Sequence, residues 1–366
     1  EGSCKCVEIK VRKIVALILC ICICVTSISA DAKTKKVTGK DGKYITWNYD
    51  KDTKTLTFSG KGVISDFILD GHAPEPEWYV WNKETERIVI EEGITVIGEG
   101  AFSDFVSVRD VHLPETLIKI SGDAFNENMQ LKSINFPENL KNISSYAFSG
   151  CEKMELPMFP SKLKTIGEYA FENNSLVSIT LGSSLTAIGD SAFSYCSALT
   201  SITLPKNVTR IGSEAFSCCS GLTSITLPES VTEIGEFAFT ECSNLESIKV
   251  NENNKVYDSR ENCNAIIEKS SNTLIVGCKN TKVPSGVTKI GDGAFEGCSG
   301  LTSITISESV TKIGDEAFFY CSNLESIKVD ENNRVYDSRE NCNAIIEKSS
   351  SALIVGCKNT EVPSGV

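Results

Sequence analysis

One phrase of apolar and polar positions recurs along most of the chain. An Ala-Phe pair marks each copy, and successive pairs are separated by 23, 23, 23, 22, 23, 23, 56 and 23 residues. A fixed period of this length is typical of a solenoid, in which each copy forms one coil. The phenylalanines are Phe102, Phe125, Phe148, Phe171, Phe193, Phe216, Phe239, Phe295 and Phe318.

The second half of each copy predicts a β-strand. In the copy that contains Phe216, Ile225 and Leu227 alternate with Ser224 and Thr226. Strict alternation predicts a strand with its apolar side chains inward and its hydroxyls outward. Pro228 follows and should end the strand, because proline cannot donate to the ladder.

A second apolar pair predicts the opposite wall of the coil. Val231 and Ile234 indicate a short extended stretch, and Ala238-Phe239 suggests a single helical or 3₁₀ turn back to the next strand. One copy cannot bury its apolar stripe alone, but stacked copies share it. About eleven coils at ~4.8 Å per strand would give a rod or arc of ~50 Å.

Two positions in the phrase predict tight packing between coils. A glycine follows the second-wall isoleucine in most copies, but Ser121 and Ser144 replace it in two. Serine would be costly in a left-handed backbone, so we expect the position to need a small residue for close coil packing. The phenylalanines should stack into an aromatic spine.

The phrase I-G-x-x-A-F-x-x-C-x-x-L-x-S-I-x-L-P resembles the BspA-like (Treponema pallidum-type) leucine-rich repeats of bacterial surface proteins, over about residues 86–366. The resemblance implies a repeat solenoid: a right-handed superhelix with a parallel β-sheet on its concave face, mostly β with short helical or 3₁₀ turns. Residues 33–85 resemble the β-rich leader that often precedes such repeats, and we expect them to cap the first coil. Members of the family are secreted or cell-surface proteins, some implicated in adhesion.

The first 32 residues resemble a secretory signal peptide. Three basic residues between positions 10 and 13 precede an apolar run at 14–25, and Ala30-Asp31-Ala32 fits a cleavage site. The run is about a dozen residues, whereas a membrane span takes ~20. A secreted or cell-surface protein with no membrane span after cleavage is therefore expected. The alternative is a retained anchor.

Two irregular coils, at 251–282 and 330–361, lie in near-identical blocks offset by 79 residues. Apolar stretches flank Lys269-Ser270-Ser271-Asn272, which predicts a hairpin. If the turn centres on Ser270-Ser271, Cys263 lies opposite Cys278, and Cys342 lies opposite Cys357 in the second block. Each pair could form a disulfide in an oxidising compartment; a one-residue slip would leave free thiols. The final phrase, 362–366, stops where earlier copies continue, so we expect a truncated last repeat.

The remaining cysteines, the histidines and the net charge argue against a catalytic, metal-binding or nucleic-acid-binding role. Of 16 cysteines, Cys151, Cys196, Cys219, Cys242, Cys298 and Cys321 share one slot of the phrase, which predicts a packing column of free thiols. The only histidines are His72 and His112, and no catalytic, zinc or phosphate-loop motif occurs. We therefore expect no metal, no cofactor and no enzymatic activity. A net charge of −12 without a basic cluster disfavours nucleic acid.

The outward strand positions are the candidate ligand-binding residues. They form a polar, hydroxyl-rich row on the predicted concave face, which suits a protein or polysaccharide partner. The alternative is plain solubility, since serine and threonine are good exposed strand residues. In one coil Pro157 takes an inward position, which predicts either a local defect or an apolar anchor formed by its outward neighbours. The row contains Asp110, His112, Ser133, Asn135, Leu156, Met158, Ser178, Thr180, Ser201, Thr203, Ser224, Thr226, Ser247, Lys249, Ser303, Thr305, Ser326 and Lys328.

Two functions follow as hypotheses. The first is a non-catalytic adhesion or interaction module that recognises host, matrix or other-cell proteins through the solenoid face. The second is a carbohydrate- or envelope-binding spacer that serves an enzyme or anchor domain outside this sequence.

Overall fold

A computed structural model describes residues 35–67, 75–155 and 158–366. The predicted signal peptide, His72, Leu156 and Pro157 lie outside the described residues. Within them the chain is almost entirely β, and helical structure is limited to three 3₁₀ segments, Glu77–Trp81, Arg260–Asn262 and Arg339–Asn341.

Short strands follow one another along the described chain. The first eighteen are β1 (Lys36–Asp41), β2 (Ile45–Asp50), β3 (Thr55–Gly60), β4 (Gly62–Val63), β5 (Arg87–Ile90), β6 (Ile94–Ile97), β7 (Asp110–His112), β8 (Lys119–Ile120), β9 (Ser133–Ile134), β10 (Asn142–Ile143), β11 (Thr165–Ile166), β12 (Ser178–Thr180), β13 (Ala187–Ile188), β14 (Ser201–Thr203), β15 (Arg210–Ile211), β16 (Ser224–Leu227), β17 (Glu233–Ile234) and β18 (Ser247–Val250). The remaining ten are β19 (Tyr257–Asp258), β20 (Ile266–Glu268), β21 (Thr273–Val276), β22 (Lys289–Ile290), β23 (Ser303–Ile306), β24 (Lys312–Ile313), β25 (Ser326–Val329), β26 (Tyr336–Asp337), β27 (Ala344–Glu347) and β28 (Ala352–Gly356).

Two walls of parallel strands build the predicted solenoid. The front wall contains β5, β7 and β9, then β12, β14, β16 and β18, then β23 and β25. The back wall runs from β4 through β6, β8, β10, β11, β13 and β15 to β17. The register aligns equal positions of the phrase, as in Ser178 beside Ser201 and Ile188 beside Ile211. Stacked coils of one spiral are therefore confirmed.

The segment before the first coil is an antiparallel meander of β1, β2 and β3. Strand β3 then pairs in parallel with β5, so the meander continues directly into the front wall. Trp78 is buried, and its indole N–H donates to the carbonyl of Ala101 at 3.0 Å. Phe58 packs edge-on against Phe102 with ring centroids 5.2 Å apart. The meander thus shares the core of the first coil.

The predicted aromatic spine is present. From Phe102 to Phe239 the rings stack nearly parallel, with successive centroids 5.2 to 5.6 Å apart. Phe295 and Phe318 form a second stack at 5.0 Å. The rings are nine-tenths buried or more, because each fills the space between neighbouring coils.

The Ala-Phe segment differs from the helical turn that the sequence suggested. Each is bracketed by two residues in the left-handed region, as Glu214 (φ 54°) and Cys218 (φ 58°) bracket Phe216. The N–H groups of these three residues donate to carbonyls of the next coil, those of Glu236, Ala238 and Thr240, at 2.9 Å each. We call this third wall of inter-coil hydrogen bonds the turn ladder. Its bonds point along the solenoid, whereas a helical turn would bond within one coil.

The glycine after the second-wall isoleucine serves close packing, as predicted. Gly212 does not have a positive φ, but a Cβ there would collide with the backbone of Gly189 and Asp190 in the preceding coil. The conformational freedom of glycine is used elsewhere: Gly100, Gly150, Gly293 and Gly297 occupy left-handed positions of the turn ladder.

The two irregular coils at 251–282 and 330–361, called the long coils from here on, each contain the predicted hairpin, and of the two alternatives for their cysteines the structure has the free thiols. Glu268 pairs with Thr273 and Ile267 with Leu274, as a turn centred on Ser270-Ser271 requires. A bulge between Ile266 and Ile267 shifts the register by one residue farther from the turn, so that Ile266 pairs with Val276. The thiols of Cys263 and Cys278 are free, and so are those of Cys342 and Cys357, because the second hairpin carries the same bulge.

The first hairpin separates two parts of the core. Ile266 on β20 packs with the residues that precede it in the chain, whereas Ile267 and Leu274 pack with those that follow. Strand β21 pairs in parallel with β22, so the hairpin occupies the place where the back wall would pass from β17 to β22. The spiral continues across the long coil, but with an inserted layer.

Candidate functional site

The described members of the predicted row lie on strands of the front wall, except Asn135, which follows β9, and Met158, which lies outside a strand. Most are exposed, and Asp110, Ser247 and Ser326 are half-buried. Strand register joins Ser178, Ser201, Ser224 and Ser247 into one line across four coils. A ladder of hydroxyls in register therefore exists on this wall.

The row is divided into three segments. Strands β7 and β9 carry the first, β12 to β18 the second, and β23 with β25 the third. The first long coil enters between the second and third: the N–H of Lys279 donates to the carbonyl of Leu245, and its ammonium lies 2.5 Å from a Glu246 carboxylate oxygen. We call the β12–β18 segment, with Ser178, Thr180, Ser201, Thr203, Ser224, Thr226, Ser247 and Lys249, the front row.

Two members of the first segment are engaged within the protein. The amide of Asn135 accepts from the N–H of Leu113 at 2.8 Å and donates to its carbonyl at 2.9 Å, which extends the strand pairing by one step. The carboxylate of Asp110 lies 2.8 Å from the guanidinium of Arg87. These side chains are less available to a partner than the hydroxyls of the front row.

The coil that contains Phe148 exposes the side chain of Met158. Met158 is 83% exposed, more than any other large apolar side chain in the described residues. Phe159 beside it turns inward and packs edge-on against Phe171 with centroids 5.3 Å apart. The core of this coil is therefore closed by an aromatic ring, and Met158 remains a candidate contact.

The cysteine column has a hydrogen-bonding role that its sequence pattern did not reveal. The thiols of Cys151, Cys196, Cys219 and Cys242 each lie 3.2 Å from the carbonyl oxygen of the preceding coil's spine phenylalanine. The amide of Asn174 in the same slot donates to the carbonyl of Phe148 at 2.9 Å. At Asn174 an asparagine therefore donates from this slot as the cysteines do, whereas the amide oxygen of Asn128 accepts there from the N–H of Phe105 at 2.8 Å.

Burial makes these thiols unreactive. Desolvation raises the pKa of Cys196 to about 12, and it raises the pKa of Cys219 well above its ordinary value. A thiol with so high a pKa has almost no thiolate at neutral pH, and thiolate is the reactive form. The column of free thiols is thus structural, as predicted.

A cleft that the sequence analysis did not predict opens beside the first long coil. It lies between the turn at 236–240 and the turn at 292–296, has a volume of about 420 Å³, and is floored by Ile275 and Val276. The signal for it in the sequence was the 56-residue interval between Phe239 and Phe295, which interrupts the regular stacking of turns.

Within the described ranges, no group of three or more histidine, cysteine, aspartate or glutamate side chains could hold a metal ion. No helix among those residues is long and apolar enough to cross a bilayer.

Coils that share a core, two parallel walls and a turn ladder define a leucine-rich repeat solenoid. The BspA-type leucine-rich repeat region matches residues 77–200, 164–271 and 265–350, with six copies. The chain belongs to this family.

Solved structures of bacterial proteins resemble this one. A leucine-rich cell surface protein from Faecalibacterium prausnitzii is 26% identical with a TM-score of 0.52, over 80% of this chain and 76% of that one. The pneumococcal vaccine antigen PcpA is 20% identical with a TM-score of 0.50, over 80% and 70%. A leucine-rich repeat protein from Eubacterium ventriosum is 23% identical with a TM-score of 0.46, over 81% and 73%. No curated protein matches the sequence.

Proposed function

We propose that the protein is a secreted or cell-surface interaction module that binds a protein partner of host, matrix or neighbouring-cell origin through the front row. The observation that carries this proposal is the line of outward hydroxyls on four successive strands. The membership in the BspA-type family and the likeness to a bacterial cell surface protein support the location. The role is non-catalytic.

Geometry favours an extended partner. The front row repeats at the strand spacing of ~4.8 Å, so a partner that gains a weak contact at each coil accumulates affinity along the row. Serine and threonine offer both a donor and acceptors, and they lose little side-chain entropy when they bind. Lys249 at its last strand adds a positive charge that can pair with an acidic group.

A binding array tests the proposal. The wild-type chain is applied to matrix proteins and to polysaccharides, beside a front-row variant with Ser201→Glu, Thr203→Glu, Ser224→Glu and Thr226→Glu. We expect the wild type to bind at least one protein and the variant to bind it at least tenfold more weakly, because four carboxylates would repel or desolvate unfavourably at the contact.

The matched control puts four carboxylates on the opposite wall. Thr186, Thr209 and Thr232 are exposed at equivalent positions of the repeat there, and Thr165 is exposed one position further along its coil. Their replacement by glutamate should leave binding unchanged. If the front-row variant binds as tightly as the wild type, the front row is not the binding surface. Binding to polysaccharides alone would favour the second function, a carbohydrate- or envelope-binding spacer, and a catalytic or anchor domain in the full reading frame would support it.

A further inference from the structure

We propose that the cleft beside the first long coil is a second binding site, which takes an extended peptide segment with a lysine or arginine side chain between apolar neighbours. The site lies on the turn ladder and the back wall, so the proposal is independent of the front row. Its basis is an opening in the hydrogen-bond ladder, an exposed apolar floor and a concentration of carboxylates.

The turn ladder is open at this point. In the regular coil the N–H groups of Glu214 and Phe216 donate to the next coil, but those of Phe237 and Phe239 have no acceptor among the described residues. The carbonyl that Phe239 would use, that of Ala294, accepts instead from the N–H of Gly277 at 2.7 Å. Of the three ladder bonds expected here, only one remains: the N–H of Glu241 donates to the carbonyl of Glu296 at 3.1 Å.

These free groups form an edge that an extended chain can complete. Backbone donors and acceptors without partners are costly when they are shielded from water. The carbonyl of Asp292, which the regular pattern would pair with Phe237, also has no donor among the described residues. A peptide that accepts from Phe237 and Phe239 on one lip and donates to Asp292 on the other would restore the pairing, as added strands do at sheet edges.

The floor of the cleft is apolar and only partly covered. Ile234 is half-buried, whereas Ile188 and Ile211 at the same position of earlier coils are fully buried. Ile275 and Val276 on β21 are also half-buried. Burying such surface favours a ligand with aliphatic side chains, at ~25 cal/mol per Å². The volume of about 420 Å³ fits a few side chains and falls within the usual range of ligand pockets.

The negative charges around the cleft favour a ligand with a basic side chain. Glu236, Glu296, Asp315 and Glu316 line the cleft, and Lys289 is the one basic residue among the described lining residues. The ammonium of Lys289 is already 3.3 Å from the carboxylate of Asp292. An added lysine or arginine would therefore meet unpaired carboxylates, a complementary pattern that also speeds association.

The pKa of Glu296 reflects the crowding of these carboxylates. Burial raises the pKa of Glu296, and the nearby carboxylates of Glu316, Glu241 and Glu214 raise it further. A cation in the cleft would relieve this repulsion.

Capped five-residue peptides test the site by calorimetry. One has a central lysine flanked by valines, and its partner has glutamate in place of the lysine. We expect the lysine peptide to bind the full chain at least tenfold more tightly than the glutamate peptide. Amide hydrogen exchange of the complex should slow at least tenfold at Phe237 and Phe239, with no change at Glu214 and Phe216.

Two triple variants separate the cleft from general acidity. Glu236→Gln, Glu296→Gln and Asp315→Asn should weaken binding of the lysine peptide at least tenfold. Glu99→Gln, Glu168→Gln and Glu172→Gln remove three carboxylates from coils in which the ladder is closed, and should leave binding unchanged.

Four results would overturn the proposal: no binding of the lysine peptide, equal weakening by both variants, no protection at Phe237 and Phe239, or self-association that occupies the cleft without peptide. The front-row variant should bind the lysine peptide as tightly as the wild type does. Failure of the cleft proposal can therefore be distinguished from failure of the proposed function.

Discussion

Two kinds of side chain join neighbouring coils: the spine phenylalanine by ring stacking, and in several coils a cysteine or asparagine that donates to the backbone carbonyl of the preceding coil's phenylalanine. Phe216 illustrates the first, with Phe193 at 5.6 Å and Phe239 at 5.4 Å on its two sides. Cys242 illustrates the second, since its thiol lies 3.2 Å from the carbonyl of Phe216. Both contacts cross between coils, so neither exists in a single copy.

We expect Phe216→Ala to lower the free energy of unfolding by about 3–5 kcal/mol, because a buried ring is lost and its two stacking partners line the remaining cavity. Denaturant titration followed by circular dichroism measures the change. Phe319→Ala is the control: that ring is 47% exposed and its loss should cost less than about 0.5 kcal/mol. Similar losses for the two variants would contradict the role of the spine.

At this scale the sequence predicted which residues point inward but not every role. Alternation at Ile225 and Leu227 sufficed for the front wall, because side-chain direction follows from strand geometry alone. The thiol contact escaped prediction because cysteine ranks as apolar in a periodic pattern, and its donor becomes evident only beside the carbonyl of another coil.

The long coil is held by one buried asparagine at its start. The amide of Asn254 donates to the carbonyls of Pro228 and Val231 at 3.0 and 2.9 Å, and its oxygen accepts from the N–H groups of Val256 and Tyr257. All its hydrogen-bonding capacity is used, although the side chain is only 1% exposed. Asn333 makes the same contacts in the second block.

We expect Asn254→Ala to destabilise the protein by at least about 2 kcal/mol, since it leaves buried backbone groups without partners. Hydrogen exchange should show the loss concentrated at β19 and β20. Asn253→Ala, at an exposed neighbour, should change stability by less than about 0.5 kcal/mol. An Asn254→Ala protein as stable as the wild type would show that the hairpin is held by other contacts.

The hairpins were predictable and their consequences were not. Turn residues between two apolar stretches located the centre at Ser270-Ser271, which depends only on local chemistry. The bulge that separates Cys263 from Cys278, and the opening of the turn ladder at Phe237 and Phe239, depend on how the hairpin meets the neighbouring coils. Such long-range fits are absent from a single sequence.

Across the whole molecule, one period predicts one spiral. The 23-residue interval predicts both walls, the spine and the outward hydroxyls, because every coil repeats the same contacts with its neighbours. Departures from the repeated phrase, at Pro157 and at the two long coils, are the places where sequence reasoning left alternatives open or missed a feature. One of them carries the exposed Met158, and the first long coil carries the cleft.

The most direct test of the shared spiral is the excision of one coil. Removal of residues 193–215 joins Ala192 to Phe216 and preserves the phrase, so every remaining coil still stacks on a coil of the same kind. Denaturant unfolding should remain cooperative, with strand content like that of the wild type. Removal of only residues 193–204 places the turn residues 213–215 in the positions of β14, with Glu214 at the inward position of Ile202, and should abolish cooperative unfolding. A single-coil excision that fails to fold while the half-coil excision folds, or equal behaviour of the two, would contradict a continuous core shared between successive coils.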